Sequence, residues 1–160
     1  GTDCRLIRVM PNTPSLIGAG AAGFTRGTLA TADDAEFVRA MLACVGVAEE
    51  VTEPLLDAVT GVSGSGPAYG FVFLEALADA GVRAGLPRDQ ALRLAAATLR
   101  GAAALVEETG EHPAMLKDRV CSPGGTTIEA IAALETHGFR AAVHAAVEAA
   151  VARSRAMANE

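Results

Sequence analysis

Tryptophan is absent from this 160-residue chain, tyrosine occurs once, and aromatics make up only 4% of it. Lysine and arginine number 13 against 19 aspartates and glutamates, a net charge of −6 with no basic run. Nucleic-acid surfaces combine a basic groove with aromatic stacking platforms, so this balance excludes that partner class and matches acidic cytoplasmic proteins. Cysteine is scarce too: Cys4, Cys44 and Cys121 are odd in number, far apart and outside any C-x-x-C or Cys/His pair. That excludes a disulfide framework and a zinc site and predicts buried thiols. No apolar run reaches the roughly 18 residues of a membrane span, and no charged-then-apolar leader is seen.

What is present is a chain that is 51% apolar, enough for a sizeable core. It opens almost directly on a β-rich run, Leu6 to Met10, which predicts that a longer protein supplies a preceding N-terminal part. Pro11-Asn12-Thr13-Pro14 stops that run in a rigid loop. Gly18, Gly20 and Gly23 satisfy G-x-G-x-x-G in form, but no amphipathic helix follows and no acid stands about twenty residues on, so a glycine-rich strand is predicted instead of a dinucleotide loop. Thr31 and Asp34 form a capping-box pattern ahead of a helix whose buried face is read as Phe37, Met41 and Cys44. Gly46 closes it, and residues 47–51 read as an edge-like strand.

Beyond Glu53-Pro54 the pattern is helix upon helix. Pro54 suits a first turn through Leu55, Leu56, Ala58 and Val59, which Thr60-Gly61-Val62-Ser63-Gly64-Ser65-Gly66 is expected to break. From 68 to 84 the only charges, Glu75, Asp79 and Arg83, fall on one stripe, leaving more apolar circumference than one neighbouring layer covers. The missing neighbours are expected from a second subunit. Gly85 ends that helix and Pro87 opens another, with Leu92, Ala96, Leu99, Ala103 and Val106 read as inward. Two turns over 113–120 follow, and the last helix begins at Phe139, with Val143, Val147 and Val151 among alanines and Arg140, His144 and Glu148 on its exposed side.

Between these helices lies Ser122-Pro123-Gly124-Gly125-Thr126-Thr127, a glycine turn leading into a helix N-terminus. Such a terminus presents unpaired N–H groups and a partial positive charge, so the amides at 125–127 with the Ser122 and Thr127 hydroxyls are suited to a small carboxylate or phosphate; the plainer reading is a Pro-Gly turn capped by threonine. Glu111 is the one carboxylate singled out nearby. The three histidines lie in separate elements, and Ser63 and Ser65 do not form a nucleophile elbow, so neither metal nor serine chemistry is indicated.

Met10-Pro11-Asn12-Thr13-Pro14, then Asp57-Ala58-Val59-Thr60-Gly61-Val62-Ser63-Gly64-Ser65-Gly66-Pro67-Ala68-Tyr69, then Leu116-Lys117-Asp118 and Ser122 to Thr127 resemble, in this order and spacing, the C-terminal part of pyrroline-5-carboxylate reductases. The resemblance implies a mainly α fold: the remnant of a Rossmann domain over 1–51, then over 52–160 a helical dimerisation bundle like the C-terminal domain of 6-phosphogluconate dehydrogenase. It implies NADPH- or NADH-dependent reduction of the imine of Δ1-pyrroline-5-carboxylate to L-proline in the cytoplasm. Glu111, Ser122, Gly125, Thr126 and Thr127 would hold substrate, with Thr127 on the ring nitrogen, and Met10, Pro11 and Asn12 would lie beside the nicotinamide. Interlocked homodimers, which in this family can build larger rings, are implied as well. Arg119 departs from the family pattern and receives no role. Because most of the cofactor domain is missing, this chain alone is expected to be inactive, and a silent self-association module is the alternative. A hydroxyacid dehydrogenase is a third reading, with Lys117 its sole candidate acid.

Overall fold

The computed structural model describes residues 3–158. Their elements run β1 (Ile7–Met10), β2 (Gly20–Arg26), α1 (Ala32–Ala43), β3 (Gly46–Glu50), α2 (Leu56–Val59), α3 (Gly66–Arg83), α4 (Arg88–Thr109), α5 (Pro113–Val120), α6 (Thr126–Thr136) and α7 (Phe139–Met157). The chain is therefore mainly α, with an α/β segment ahead of the helices. It forms two compact units: residues up to Tyr69 together with those from Val143 onward, and residues 70–142.

In the first unit, β2 is the central strand of three, antiparallel to β1 and parallel to β3, so β3 is an edge strand as expected. Phe24 on β2 is fully buried, and Ala35 and Leu56 join it in the core. The Arg39 guanidinium stacks 5.2 Å from the Phe24 ring centroid and donates to the Ala48 carbonyl at 3.2 Å. This inward arginine decides how α1 turns. The face on the sheet carries Ala35, Val38, Arg39 and Leu42, while Phe37 is 67% exposed and Met41 and Cys44 also face outward. The expected face is thus corrected by one stripe: both stripes have helical periodicity, and the one with the smallest residue and the stacking arginine took the sheet. The expected burial of the cysteines is corrected with it, since Cys4 and Cys44 are exposed and Cys121 is only half-buried.

The capping box forms as read. The Thr31 N–H donates to Asp34 Oδ2 at 2.8 Å, and the Asp34 N–H donates back to Thr31 Oγ1 at 3.3 Å. The bond from the Thr31 backbone, then that from its hydroxyl, hold the Asp34 carboxyl below the ordinary aspartate range, with Arg5 adding to the effect.

The stretch 60–66 does not break the helix that precedes it. After α2 the chain widens into one π turn over Thr60–Gly64, closed by a bond from the Ser65 N–H to the Thr60 carbonyl at 2.8 Å, and passes directly into α3. Two hydroxyls support it from within, Thr60 donating to the Leu56 carbonyl at 2.9 Å and Ser63 to that of Val59 at 3.0 Å. Glycine is needed here for space. A Cβ on Gly61 would stand 2.7 Å from a Val151 methyl and 3.2 Å from the Val147 carbonyl, so the π turn lies directly on α7. The Ser154 hydroxyl on α7 donates to Asp57 at 2.6 Å, and the Tyr69 hydroxyl donates to the Ala146 carbonyl at 3.4 Å.

In the second unit, Ala78 of α3 packs with Ala91 and Ala95 of α4, flanked by Leu74 and Val82. The approach is close: a Cβ on Gly81 would meet that of Ala91 at 3.2 Å. Small residues face small residues there, so the larger Leu92 is 47% exposed and Ala96 and Ala103 are exposed with it, which corrects the expected inward face of α4 at those three positions, while Leu99 and Val106 are half-buried as read. On α3, Phe71 is 66% and Val72 67% exposed, in line with the apolar excess read from the sequence. Phe73 contacts Phe139 with centroids 5.6 Å apart, and Arg140 pairs with Glu135 at 2.7 Å. No helix of the described residues is long and apolar enough to cross a membrane.

Two predictions follow from the first unit. Gly61→Ala should lower stability by about 1–3 kcal/mol, because α7 cannot yield without moving its backbone; an unchanged urea midpoint would show that the contact has slack. Asp34 has a lowered folded-state pKa, so its contribution is present above the unfolded value of about 3.9 and is lost as pH falls through the folded value. Asp34→Asn should therefore destabilise more at neutral pH than at acid pH, the gap closing as Asp34 gains its proton in the folded state. A gap of equal size at both pH values, measured by urea titration, would remove the charge from the account.

Candidate functional site

The loop between α5 and α6 is a tight turn closed by the Gly125 N–H donating to the Ser122 carbonyl at 3.0 Å. Pro123 presets its second position, and Gly124 at its third has φ of +65°, which side chains with a Cβ rarely adopt. Gly125, extended at φ −81° and ψ 169°, is the residue that precedes α6. A Cβ there would lie 2.2 Å from the Ser122 hydroxyl, so the absence of a side chain at 125 lets Ser122 fold over the helix start. No side chain caps α6, and the amides of Thr126, Thr127 and Ile128, in its first turn, have no intrahelical acceptor. Thr127 is half-buried, whereas Ser122 and Thr126 are exposed. Hydroxyls and unpaired amides thus gather at one positive helix end, an arrangement that can accept a small anion. Glu129, also in the first turn, is a dipole-complementing acid that the sequence reading passed over.

Upstream, Gly110 ends α4 at φ +65°, and His112 caps α5 by accepting from the Ala114 N–H at 3.2 Å. Arg119, on the last turn of α5, grips Glu111 in a two-point fork at 2.8 and 2.5 Å. Both carboxylate oxygens of Glu111 are therefore engaged, and the arginine left without a role in the sequence has one. The signal was available as opposite charges eight residues apart across a short helix, but eight exceeds the usual i, i+4 spacing. Lys117 lies 3.0 Å from Asp118 in an ion pair, which offers nothing to carbonyl chemistry.

Met10, Pro11 and Asn12 belong to the first unit, and the glycine loop to the second. Met10 is half-buried with its methyl against Gly64, and Pro11 is exposed. Asn12 uses both ends of its side-chain amide internally: Oδ1 accepts from the Ala21 N–H at 2.9 Å, and Nδ2 donates to the Ser63 carbonyl at 3.1 Å. Gly18, Gly20 and Gly23 are also committed to the fold. Gly18 ends a 3-10 turn at φ +74°, a Cβ on Gly20 would be 2.9 Å from the Val45 carbonyl, and one on Gly23 would be 2.6 Å from a Val59 methyl. They form no pyrophosphate cradle. No group of three or more His, Cys, Asp or Glu suited to a metal occurs among the described residues.

A family model described as pyrroline-5-carboxylate reductase dimerisation matches residues 53–157. The pyrroline-5-carboxylate reductase of Escherichia coli K12 is 51% identical over 159 residues, covering 99% of this chain and 59% of the relative. That of Arabidopsis thaliana is 53% identical over 155 residues, covering 97% of this chain and 56% of the relative. Among solved structures, a pyrroline-5-carboxylate reductase from Coxiella burnetii superposes with a TM-score of 0.94 at 37% identity, covering 97% of this chain and 58% of that one. A pyrroline carboxylate reductase of Plasmodium falciparum, solved with NADP bound, gives 0.90 at 36%, covering 98% and 63%. The chain thus spans 59% and 56% of the two curated relatives just described. With over half of its length matched by the family model and half of its residues identical to these relatives, the chain belongs to the pyrroline-5-carboxylate reductase family.

Proposed function

We propose that this chain is the substrate-binding and self-associating part of an enzyme that reduces the imine of Δ1-pyrroline-5-carboxylate to L-proline with NADPH or NADH. The observation that carries the reading is the α5–α6 loop, where a turn, a helix start with unpaired amides and free hydroxyls come together in a chain of this family. In this reading residues 1–51 are the remnant of the cofactor domain and 52–160 the helical dimerisation and substrate domain, in a cytoplasmic protein.

The Ser122 hydroxyl and the amides of Thr126 and Thr127 receive the substrate carboxylate, and the helix end adds its partial charge, while the Gly125 N–H stays on the Ser122 carbonyl and Gly125 serves the site by leaving room for that hydroxyl. Glu111 enters with its charge offset by the Arg119 fork, which lowers the repulsion that an arriving carboxylate would meet. The Thr127 hydroxyl then lies against the ring nitrogen and fixes which face of the C=N bond is presented. When bound, the reduced nicotinamide supplies the hydride. A protonated imine is already electrophilic, so orientation is the main demand on the protein and no nucleophile is required. Met10, Pro11 and Asn12 form the edge of the nicotinamide site.

The partner in this reading is a second copy of the chain, interlocked through its helices, with larger rings built from such dimers. The exposed Phe71 and Val72 on α3 support that half of the proposal. They also favour the alternative, in which this chain by itself is a silent self-association module, because its glycines form no dinucleotide cradle. A fluorescence titration separates the two roles: NADPH is expected not to bind this chain, but to bind a fusion of it with the part of the E. coli relative that it does not span.

In that fusion, Thr127→Ala should lower kcat/KM for the imine roughly tenfold to a hundredfold, the worth of one hydrogen bond to a charged group, with NADPH affinity unchanged. Were Thr127 only a helix-start residue, the melting temperature would fall and turnover per folded molecule would stay as it was; that outcome would remove it from the site.

A further inference from the structure

Asn12 lies at the junction of a loop and a helix that are 51 residues apart in sequence. Its backbone is extended, at φ −132° and ψ 165°, and precedes the 3-10 turn Thr13–Ile17. A residue there ordinarily caps the turn with its own side chain, but Asn12 makes no such bond. The Ser15 hydroxyl braces it instead, donating to the Asn12 carbonyl at 2.6 Å. The side-chain amide is thereby freed for the two long-range bonds, to Ala21 at the start of β2 and to Ser63 in the π turn.

The Ser63 carbonyl needs that bond for a reason written in the sequence. In a continuing α-helix its donor would be the N–H four residues on, and residue 67 is proline, which has none. The neighbouring carbonyls of Thr60 and Ser65 are served by the Ser65 and Ala68 N–H groups, at 2.8 and 3.0 Å. Ser63 is half-buried, where an unpaired carbonyl is costly. Asn12 Nδ2 takes the place of the donor that Pro67 lacks. The same side chain accepts from β2, so one planar amide sets the loop at 10–12, the central strand and the π turn in fixed register. π turns are uncommon and concentrate at functional sites.

The geometry points to Asn12 as a positioning residue: through its paired bonds to Ala21 and Ser63 it holds the Met10–Pro11 edge at a set place over the π turn, and so sets where the nicotinamide ring can rest. The functional half of this inference rests on the proposed reduction. The structural half stands on the bonds themselves.

Asn12→Ala and the double variant Asn12→Ala/Pro67→Ala test it, with exchange and melting measured on the 160-residue chain and kinetics on the fusion described above. Asn12→Ala removes both bonds, so exchange of the Ala21 amide should rise roughly tenfold or more, the melting temperature should fall, and turnover per folded molecule should drop about tenfold to a hundredfold. Adding Pro67→Ala returns a helical donor to the Ser63 carbonyl without restoring the tether. The double variant should recover melting temperature while Ala21 exchange stays fast and kcat stays low. Recovery of kcat along with stability would overturn the positioning role, since helix satisfaction would then be all that Asn12 supplies. Unchanged Ala21 protection in the single variant would overturn the tether, and failure of Pro67→Ala to recover stability would overturn the donor replacement. An inactive parent fusion would instead count against the proposed reduction, with exchange at Ala21 still deciding the tether.

Discussion

Two contacts too tight for any side chain hold the first unit in shape. At Gly23 the central strand meets Val59 of α2, and at Gly61 the π turn meets Val147 and Val151 of α7. Close packing converts small shifts into clashes, so these two points fix where α2, the π turn and the last helix lie against the sheet. The Asn12 tether, the seat of the Met10 methyl on Gly64 and the bond from Ser154 to Asp57 are all set by that placement. A helix running from 56 to 83 with uniform α spacing would turn Ser63 and Gly64 to other faces. The wider turn absorbs one extra residue and keeps both directed at the strand end.

The sequence was legible where the determinant is local. The Thr31–Asp34 box, Gly85 just past α3 and Pro87 at the start of α4 each depend on groups within one turn, and all appear as read. It was illegible where two patterns compete. Residues 35, 38 and 42 and residues 37, 41 and 44 both have helical periodicity, and the choice was made by Arg39 lying over Phe24. On α4, spacing could not reveal that Ala91 and Ala95 would face Ala78 and leave Leu92 outside. The run of glycine and serine at 60–66 reads as a break because those residues form helix poorly by themselves; packing against α7 overrides that preference.

The candidate site divides in the same way. Its loop could be found because Pro123, Gly124 and Gly125 have one economical arrangement, and that arrangement is observed. Its Arg119–Glu111 fork was harder to find, because it spans eight residues, and in the first unit the Asn12–Ser63 bond spans 51. For the second of these the sequence holds a signal: a proline one turn after a helical serine leaves a carbonyl that must find a donor elsewhere. The obligatory pairing of buried backbone groups thus points from Pro67 to a donor outside the helix.

The turn ahead of α6 has a further consequence. A pyrrolidine ring, a left-handed glycine and a 3.0 Å hydrogen bond already hold the loop in a single shape. For the anion proposed to bind here, few torsions would remain to be frozen, so little of the contact energy would be lost to ordering and the guest's own outline would become the main criterion for entry. A loop that waited to be moulded would accept anions of many sizes with similar weak affinity. One that is rigid beforehand discriminates by fit, and its selectivity should persist on warming, because there is little slack in the turn for heat to release.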